Sequence, residues 1–174
     1  GGEVPDLGTN AKLGTSRYLV SEADESDGSF LKLRPHVAVV TNVEDDHMDH
    51  YGTMEKIIAA FRTFIDQVDE DGTAILCFEN EILRNLAAET KRRVISIDQE
   101  ADYRAADIEA HGSIISFTVF ERGVELGRVS LNIPGRHNVL NALACIAVAR
   151  LAGVEFAQIQ DALAGFHGAK RRFQ

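Results

Sequence analysis

Between two short apolar runs rich in β-branched residues, Val37–Asn42 and Thr73–Phe78, lies a stretch with helical rather than strand period. From Met54 to Val68 the apolar residues Met54, Ile57, Ile58, Phe61, Phe64, Ile65 and Val68 share one face, the spacing of an amphipathic helix. Thr53 is placed to cap its start and Glu55 to complement the positive end of its dipole. Asp69–Gly72 then turns the chain into the second run. A strand–helix–strand order of this kind makes the strands parallel and lays the helix across one face of their sheet. Strands so short and so apolar suit burial on both faces, hence a three-layer α/β sandwich.

The pattern continues in both directions. Tyr18–Ser21 and Val94–Ile97 are further strand candidates, and Glu81–Lys91 is another helix. After Ala101 the alternation stops. Tyr103–Ala110, Ser113–Glu121 and Glu125–Ile133 read as consecutive antiparallel strands, with turns at Gly112 and Arg122-Gly123. Helices resume over Asn138–Leu151 and Phe156–Phe166. The expected fold class is therefore α/β: a mainly parallel sheet flanked by helices, with a small antiparallel sheet over about 103–133 inserted before the last helices.

At 174 residues and 45% hydrophobic, the chain can bury the core of one domain. Its formal net charge of −9 argues against a nucleic-acid footprint and against an anionic membrane partner. No signal peptide or membrane-spanning run is visible, Val139–Val154 being broken by Asn141, Arg150 and Gly153. Cys77 and Cys145 sit in apolar runs without metal-ligand spacing, and both are expected to be buried free thiols of a reducing compartment. The chain opens on Gly1-Gly2-Glu3 and stops at Arg172-Phe173-Gln174, so a fragment of a longer protein is expected.

Two acidic clusters each follow an apolar run. Glu22-Ala23-Asp24-Glu25-Ser26-Asp27 comes after Tyr18-Leu19-Val20, and Glu44-Asp45-Asp46-His47-Met48-Asp49-His50 comes after Val37-Ala38-Val39-Val40. In open parallel sheets, ligands bind beyond the carboxyl ends of the strands. Neighbouring strand ends would thus aim carboxylates and an imidazole into one crevice, suited to a divalent metal carrying a phosphate ligand. Mg²⁺ takes only one or two protein carboxylates, so not all four acids of the first cluster can be ligands. A solvated acidic loop would have the same spacing, and the aspartates around His47 would favour its proton over a metal.

A third motif, Pro134-Gly135-Arg136-His137-Asn138-Val139-Leu140-Asn141, opens a helix. Asn138 and Asn141 share a face, and each carboxamide offers the donor and acceptor that an adenine edge needs. Asn138 could equally cap the helix. Lys170-Arg171-Arg172 gathers three cations in an acidic chain, either as forks for phosphate oxygens or as a solvated tail. Gly8-Thr9-Asn10-Ala11-Lys12-Leu13-Gly14 lacks the Gly-Lys-Ser/Thr of a phosphate loop.

Taken together, these segments resemble the central domain of the Mur ligase family, ATP-dependent enzymes that build the peptidoglycan stem peptide. The resemblance runs over nearly the whole chain. It rests on Gly8–Gly14, Glu22–Asp27, Thr41-Asn42-Val43-Glu44, Asp46-His47-Met48-Asp49, Pro134–Asn138 with Asn141, and Arg171-Arg172-Phe173. The wording Asp24-Glu25-Ser26-Asp27 is closest to the branch that adds L-alanine to UDP-N-acetylmuramate. The tripeptide-recycling branch is expected to carry an aromatic residue in place of Ser26.

That resemblance implies Mg²⁺ ligation and a catalytic role for Glu22 and His47, adenine contacts from Asn138 and Asn141 with His137 beside them, and a nucleotide-side arginine at Arg172. It implies ATP and Mg²⁺ as cofactors, UDP-N-acetylmuramate and L-alanine as substrates, and a bacterial cytoplasmic setting. The family's phosphate loop, UDP-binding domain and C-terminal domain are absent from these residues, so the chain alone is expected to be inactive. Two readings from other classes stay open beside it: a non-catalytic cation-binding α/β module, and a metal-dependent phosphohydrolase using the Glu22 and His47 loops.

Overall fold

The computed structural model describes residues 11–98 and 100–168. The elements run β1 (Val37–Val40), α1 (Met48–Tyr51), α2 (Met54–Asp66), β2 (Thr73–Cys77), α3 (Glu81–Glu89), β3 (Arg93–Ile97), β4 (Tyr103–His111), β5 (Ile114–Glu121), β6 (Val124–Leu131), α4 (Arg136–Leu151) and α5 (Phe156–Ala164). The strands form one sheet in the order β1-β2-β3-β4-β5-β6. The first four are joined in parallel and the last three pair antiparallel.

Two cores lie on opposite faces of the sheet. Ala74 and Leu76 of β2 face Ile57, Phe64 and Ile65 of α2 and Leu83 and Leu86 of α3. Ile75 faces the other way, with Ile95, Ile97, Phe117, Val119 and Leu131, under Leu143, Ile146 and Ala147 of α4. All five residues of β2 are buried, as a central strand covered by helices on both sides requires. Thr53 caps α2 by accepting from the Lys56 N–H at 3.4 Å, and Asn80 caps α3 by accepting from the Leu83 N–H at 3.1 Å.

The antiparallel strands appear where the sequence places them. Arg122 and Gly123 both take positive φ, 48° and 85°, matching the twist of a tight hairpin. They do not form a separate sheet, however. A single parallel register pair, Ile97↔Tyr103, fuses β4 to β3. The Asp102 carboxylate secures that join by accepting from the Ser96 N–H at 2.9 Å and approaching Ser96 Oγ at 3.1 Å.

The first strand candidate is overturned. Tyr18–Ser21 is irregular, with Leu19 and Val20 93% and 89% exposed. A strand exists only through its ladder, and β1 is paired on the β2 side alone among the described residues. The Tyr18 N–H bonds locally instead, to Ser16 Oγ at 3.2 Å. The cysteine expectation holds for Cys77, which is buried, and fails for Cys145, which is exposed on α4; both are free thiols.

Gly72 shows how tightly the parallel half is assembled. A Cβ there would lie 2.3 Å from the His36 carbonyl oxygen and 2.8 Å from Val68 Cγ1. Backbone cannot yield as a side-chain tip can, so Gly72→Ala is expected to cost about 1–3 kcal/mol as overpacking. Urea unfolding midpoints of the two chains measure it directly.

Candidate functional site

The carboxyl end of β1 opens into a cavity of about 310 Å³, with Glu25, Asn42, Glu44, Asp46 and His47 on its walls and Phe30, Phe61 and Phe64 beneath. Its position follows from the chain. Immediately after β1, Val43 plunges into the core at 3% exposure, which pins the loop while its neighbours stay at the surface. The segment 22–30 is pinned in turn by Phe30, 2% exposed, whose ring stacks at a tilt on Phe61 and Phe64 with centroids 5.3 and 5.0 Å away.

The structure sorts the acids of the first cluster. Asp24 Oδ1 accepts from the Ser26 N–H at 3.0 Å and Asp27 Oδ1 from the Ser29 N–H at 2.8 Å. These are turns closed by aspartate side chains, and the hydrogen bonds from Ser26 and Ser29 hold both carboxyls below the usual aspartate range. Gly28, at φ 72°, completes the reversal. Asp24 and Asp27 therefore shape the loop, leaving Glu22 and Glu25. Glu25 lies in the cavity, its backbone carbonyl accepting from the Tyr51 hydroxyl at 2.5 Å. Glu22 is exposed on the irregular segment and outside the cavity lining.

His47 is the centre of the arrangement. It takes a left-handed backbone, φ 55°, its N–H donating to Asp46 Oδ1 at 2.8 Å. Its half-buried imidazole presents Nε2 3.4 Å from Glu25 Oε1 and 3.9 Å from Asp46 Oδ2. Imidazole and carboxylate are both ligand types for divalent cations, and here one of each lies together at the mouth of β1. The resemblance pairs Glu22 with His47; in the structure the carboxylate beside the imidazole is that of Glu25, three residues further along the same cluster.

The third motif lies elsewhere. Helix α4 contributes no residue to the cavity lining. Its N-cap is Gly135 at φ 105°, so Asn138 is not the cap. The buried Asn138 sits in the first turn, its Nδ2 donating to the Pro134 carbonyl at 2.6 Å, and its Oδ1 accepts from Asn141 Nδ2 at 3.4 Å. The two asparagines do share a face. The exposed His137 folds back so that a Cβ on Gly135 would meet its Cε1 at 2.5 Å, which together with the positive φ reserves that position for glycine. Arg172 lies outside the described residues.

Asn80, just past β2, reaches across to the β1 loop, its Nδ2 donating to Asn42 Oδ1 at 2.7 Å and to the Val43 carbonyl at 3.0 Å. The rule that ligands gather at strand carboxyl ends applies to β2 as much as to β1. A separate grouping, His36 with Asp69 and Asp71, has its ligand atoms within 4.8 Å of one another. It sits at the amino ends of β1 and β2 with side chains 52–87% exposed, away from the cavity at their carboxyl ends.

Fold and site thus define a class: three-layer α/β domains that collect carboxylates and an imidazole at the carboxyl ends of parallel strands. The Mur ligase middle domain family matches residues 3–149. A UDP-N-acetylmuramate–L-alanine ligase of Pelotomaculum thermopropionicum is 48% identical over an alignment covering 100% of this chain and 38% of the relative. The ligase of the same name from Geobacter sulfurreducens is 49% identical, with the same coverage. Among solved structures, the UDP-N-acetylmuramate–alanine ligase MurC of Thermotoga maritima superposes with a TM-score of 0.74 at 28% identity, over 87% of this chain and 34% of that one. This chain belongs to the Mur ligase family. It spans 38% of the length of those relatives.

Proposed function

We propose that the chain is the ATP- and Mg²⁺-handling middle domain of a ligase that joins L-alanine to UDP-N-acetylmuramate. The observation that carries this is the agreement over the whole chain, at 48% and 49% identity, with two relatives bearing that name. The Asp24-Glu25-Ser26-Asp27 wording favours this reading over the tripeptide-recycling branch. No described helix is long and apolar enough to cross a membrane, and we place the reaction in the bacterial cytoplasm, where ATP is held.

In the proposed reaction a carboxylate oxygen of the muramate attacks the γ-phosphorus of ATP, and the bond to the bridging oxygen of ADP breaks. The amine of L-alanine then attacks the acyl carbon through a tetrahedral intermediate, and phosphate leaves with the electrons of the C–O bond. The first step drives one anion onto another, so positioning and charge neutralisation carry the catalysis. Glu22 and His47 would hold Mg²⁺, which supplies that neutralisation when bound. Glu25, on His47 Nε2, orients the imidazole. Asn138, fixed to Pro134, holds Asn141 toward the adenine, with His137 at its side. Arg172 serves the phosphates from the nucleotide side. No covalent enzyme nucleophile takes part.

The test is an assay of the full-length protein that contains this domain. Phosphate release from Mg·ATP is expected to require both UDP-N-acetylmuramate and L-alanine. Release that depends on a preformed tripeptide and ignores L-alanine would move the protein to the recycling branch.

A further inference from the structure

The side-chain carboxamide of Asn80 is placed between two backbone groups whose polarity is not in doubt. Its Nδ2 faces the Val43 carbonyl at 3.0 Å and its Oδ1 faces the Leu83 N–H at 3.1 Å. An amide orientation is normally assigned rather than seen, but a carbonyl can only accept and an N–H can only donate, so this one is fixed. The consequence passes down a chain. The second hydrogen on Nδ2 must meet an acceptor, so Asn42 turns its Oδ1 to Asn80 at 2.7 Å. The Nδ2 of Asn42 is then left facing the Glu44 carboxylate, to which it donates at 2.5 Å. One residue at the end of β2 thereby sets both the path of the β1 loop and the direction of a carboxylate in the cavity that holds His47.

From this geometry we propose that Asn80 is a positioning residue for the proposed ligation, acting through Asn42 and Glu44 on the acidic loop that presents His47; the proposal rests on the ligase reading above. Its two jobs use different atoms. Capping of α3 needs only the acceptor Oδ1, whereas the clasp on the loop needs the two N–H donors. Asn80→Asp keeps the acceptor and the size but removes both donors. It also sets a carboxylate against the Val43 carbonyl and invites Asn42 to turn its own amide round, releasing Glu44. Asn80→Ser, whose hydroxyl can still cap, removes the reach altogether. A purely structural residue would show itself in the thermal midpoint of both variants. A positioning residue leaves the midpoint nearly unchanged and moves the metal dependence.

Two measurements decide it. In this chain, amide hydrogen exchange over Val43–His47 is expected to quicken in Asn80→Asp while α3 keeps its protection. In the full-length ligase, the Mg²⁺ concentration giving half-maximal turnover is expected to rise about tenfold or more, the usual loss when an outer-shell partner of a metal site is removed. The turnover rate at saturating Mg²⁺ should fall much less. Unchanged exchange overturns the clasp, whatever the enzyme does. Faster exchange with unchanged Mg²⁺ dependence overturns the positioning role. A wild-type protein that shows no Mg·ATP-dependent ligation overturns the ligase reading and the positioning role with it, while the exchange result still decides the clasp.

Discussion

His47→Ala in the full-length protein is expected to lower kcat/KM of the proposed ligation by about two to three orders of magnitude, since the proposed metal-organised charge would contribute several kcal/mol and each 1.36 kcal/mol is tenfold. Removing the imidazole takes away the group that lies beside both Glu25 and Asp46. The backbone at position 47 is left-handed, at φ 55°, a conformation that costs a non-glycine residue about 1–2 kcal/mol. His47→Asn is therefore the better partner variant, because asparagine tolerates that region. Both should lose turnover together while the thermal midpoint of the asparagine variant stays close to wild type. Glu22→Ala should share the loss. Near-normal turnover of any of these at limiting Mg²⁺ would remove that residue from the metal site.

The second large effect is on stability. Phe117, in the middle of β5, has no exposed surface and lies in the core beneath α4. Truncating such a residue removes its transfer energy and leaves a cavity, so Phe117→Ala is expected to cost about 3–5 kcal/mol. Against a typical total of about 5–15 kcal/mol, that is a large share of the domain's stability. Urea denaturation followed by circular dichroism would show the midpoint falling steeply. A loss of less than about 1 kcal/mol, below the range for a buried aromatic, would mean that the antiparallel half of the sheet is not packed on α4 as described.

Much of this fold was legible because local and global signals agree. The apolar face of α2, its Thr53 cap and the Arg122-Gly123 hairpin each follow from short-range chemistry, and tertiary packing leaves them in place. Other features depend on contacts that no local pattern encodes. Tyr18–Ser21 has the composition of a strand but no ladder to join. Cys145 lies on a helix with apolar residues on every side, so nothing in its sequence marks the outward face. The fusion of the two halves into one sheet hangs on the single pair Ile97↔Tyr103, which the change of pattern after Ala101 could only suggest as a boundary. In the site, the spacing marked the two acidic clusters but left His47 and the four acids open, and only the family resemblance singled out Glu22 and His47. The structure adds which acids close turns, Asp24 and Asp27, and which one meets the imidazole, Glu25. The clasp from Asn80 pairs residues 38 positions apart, beyond the reach of any periodicity.

The proposed chemistry makes one demand on the atoms. If the muramate carboxylate attacks the γ-phosphorus, one of its oxygens becomes the bridge of an acyl phosphate. That oxygen must leave with the phosphate when L-alanine displaces it. UDP-N-acetylmuramate labelled with ¹⁸O in its carboxylate should therefore give inorganic phosphate carrying one labelled oxygen for each amide bond formed, read by mass spectrometry or by the ³¹P isotope shift. Product formed with the label absent from phosphate would contradict ligation through an acyl phosphate at this site.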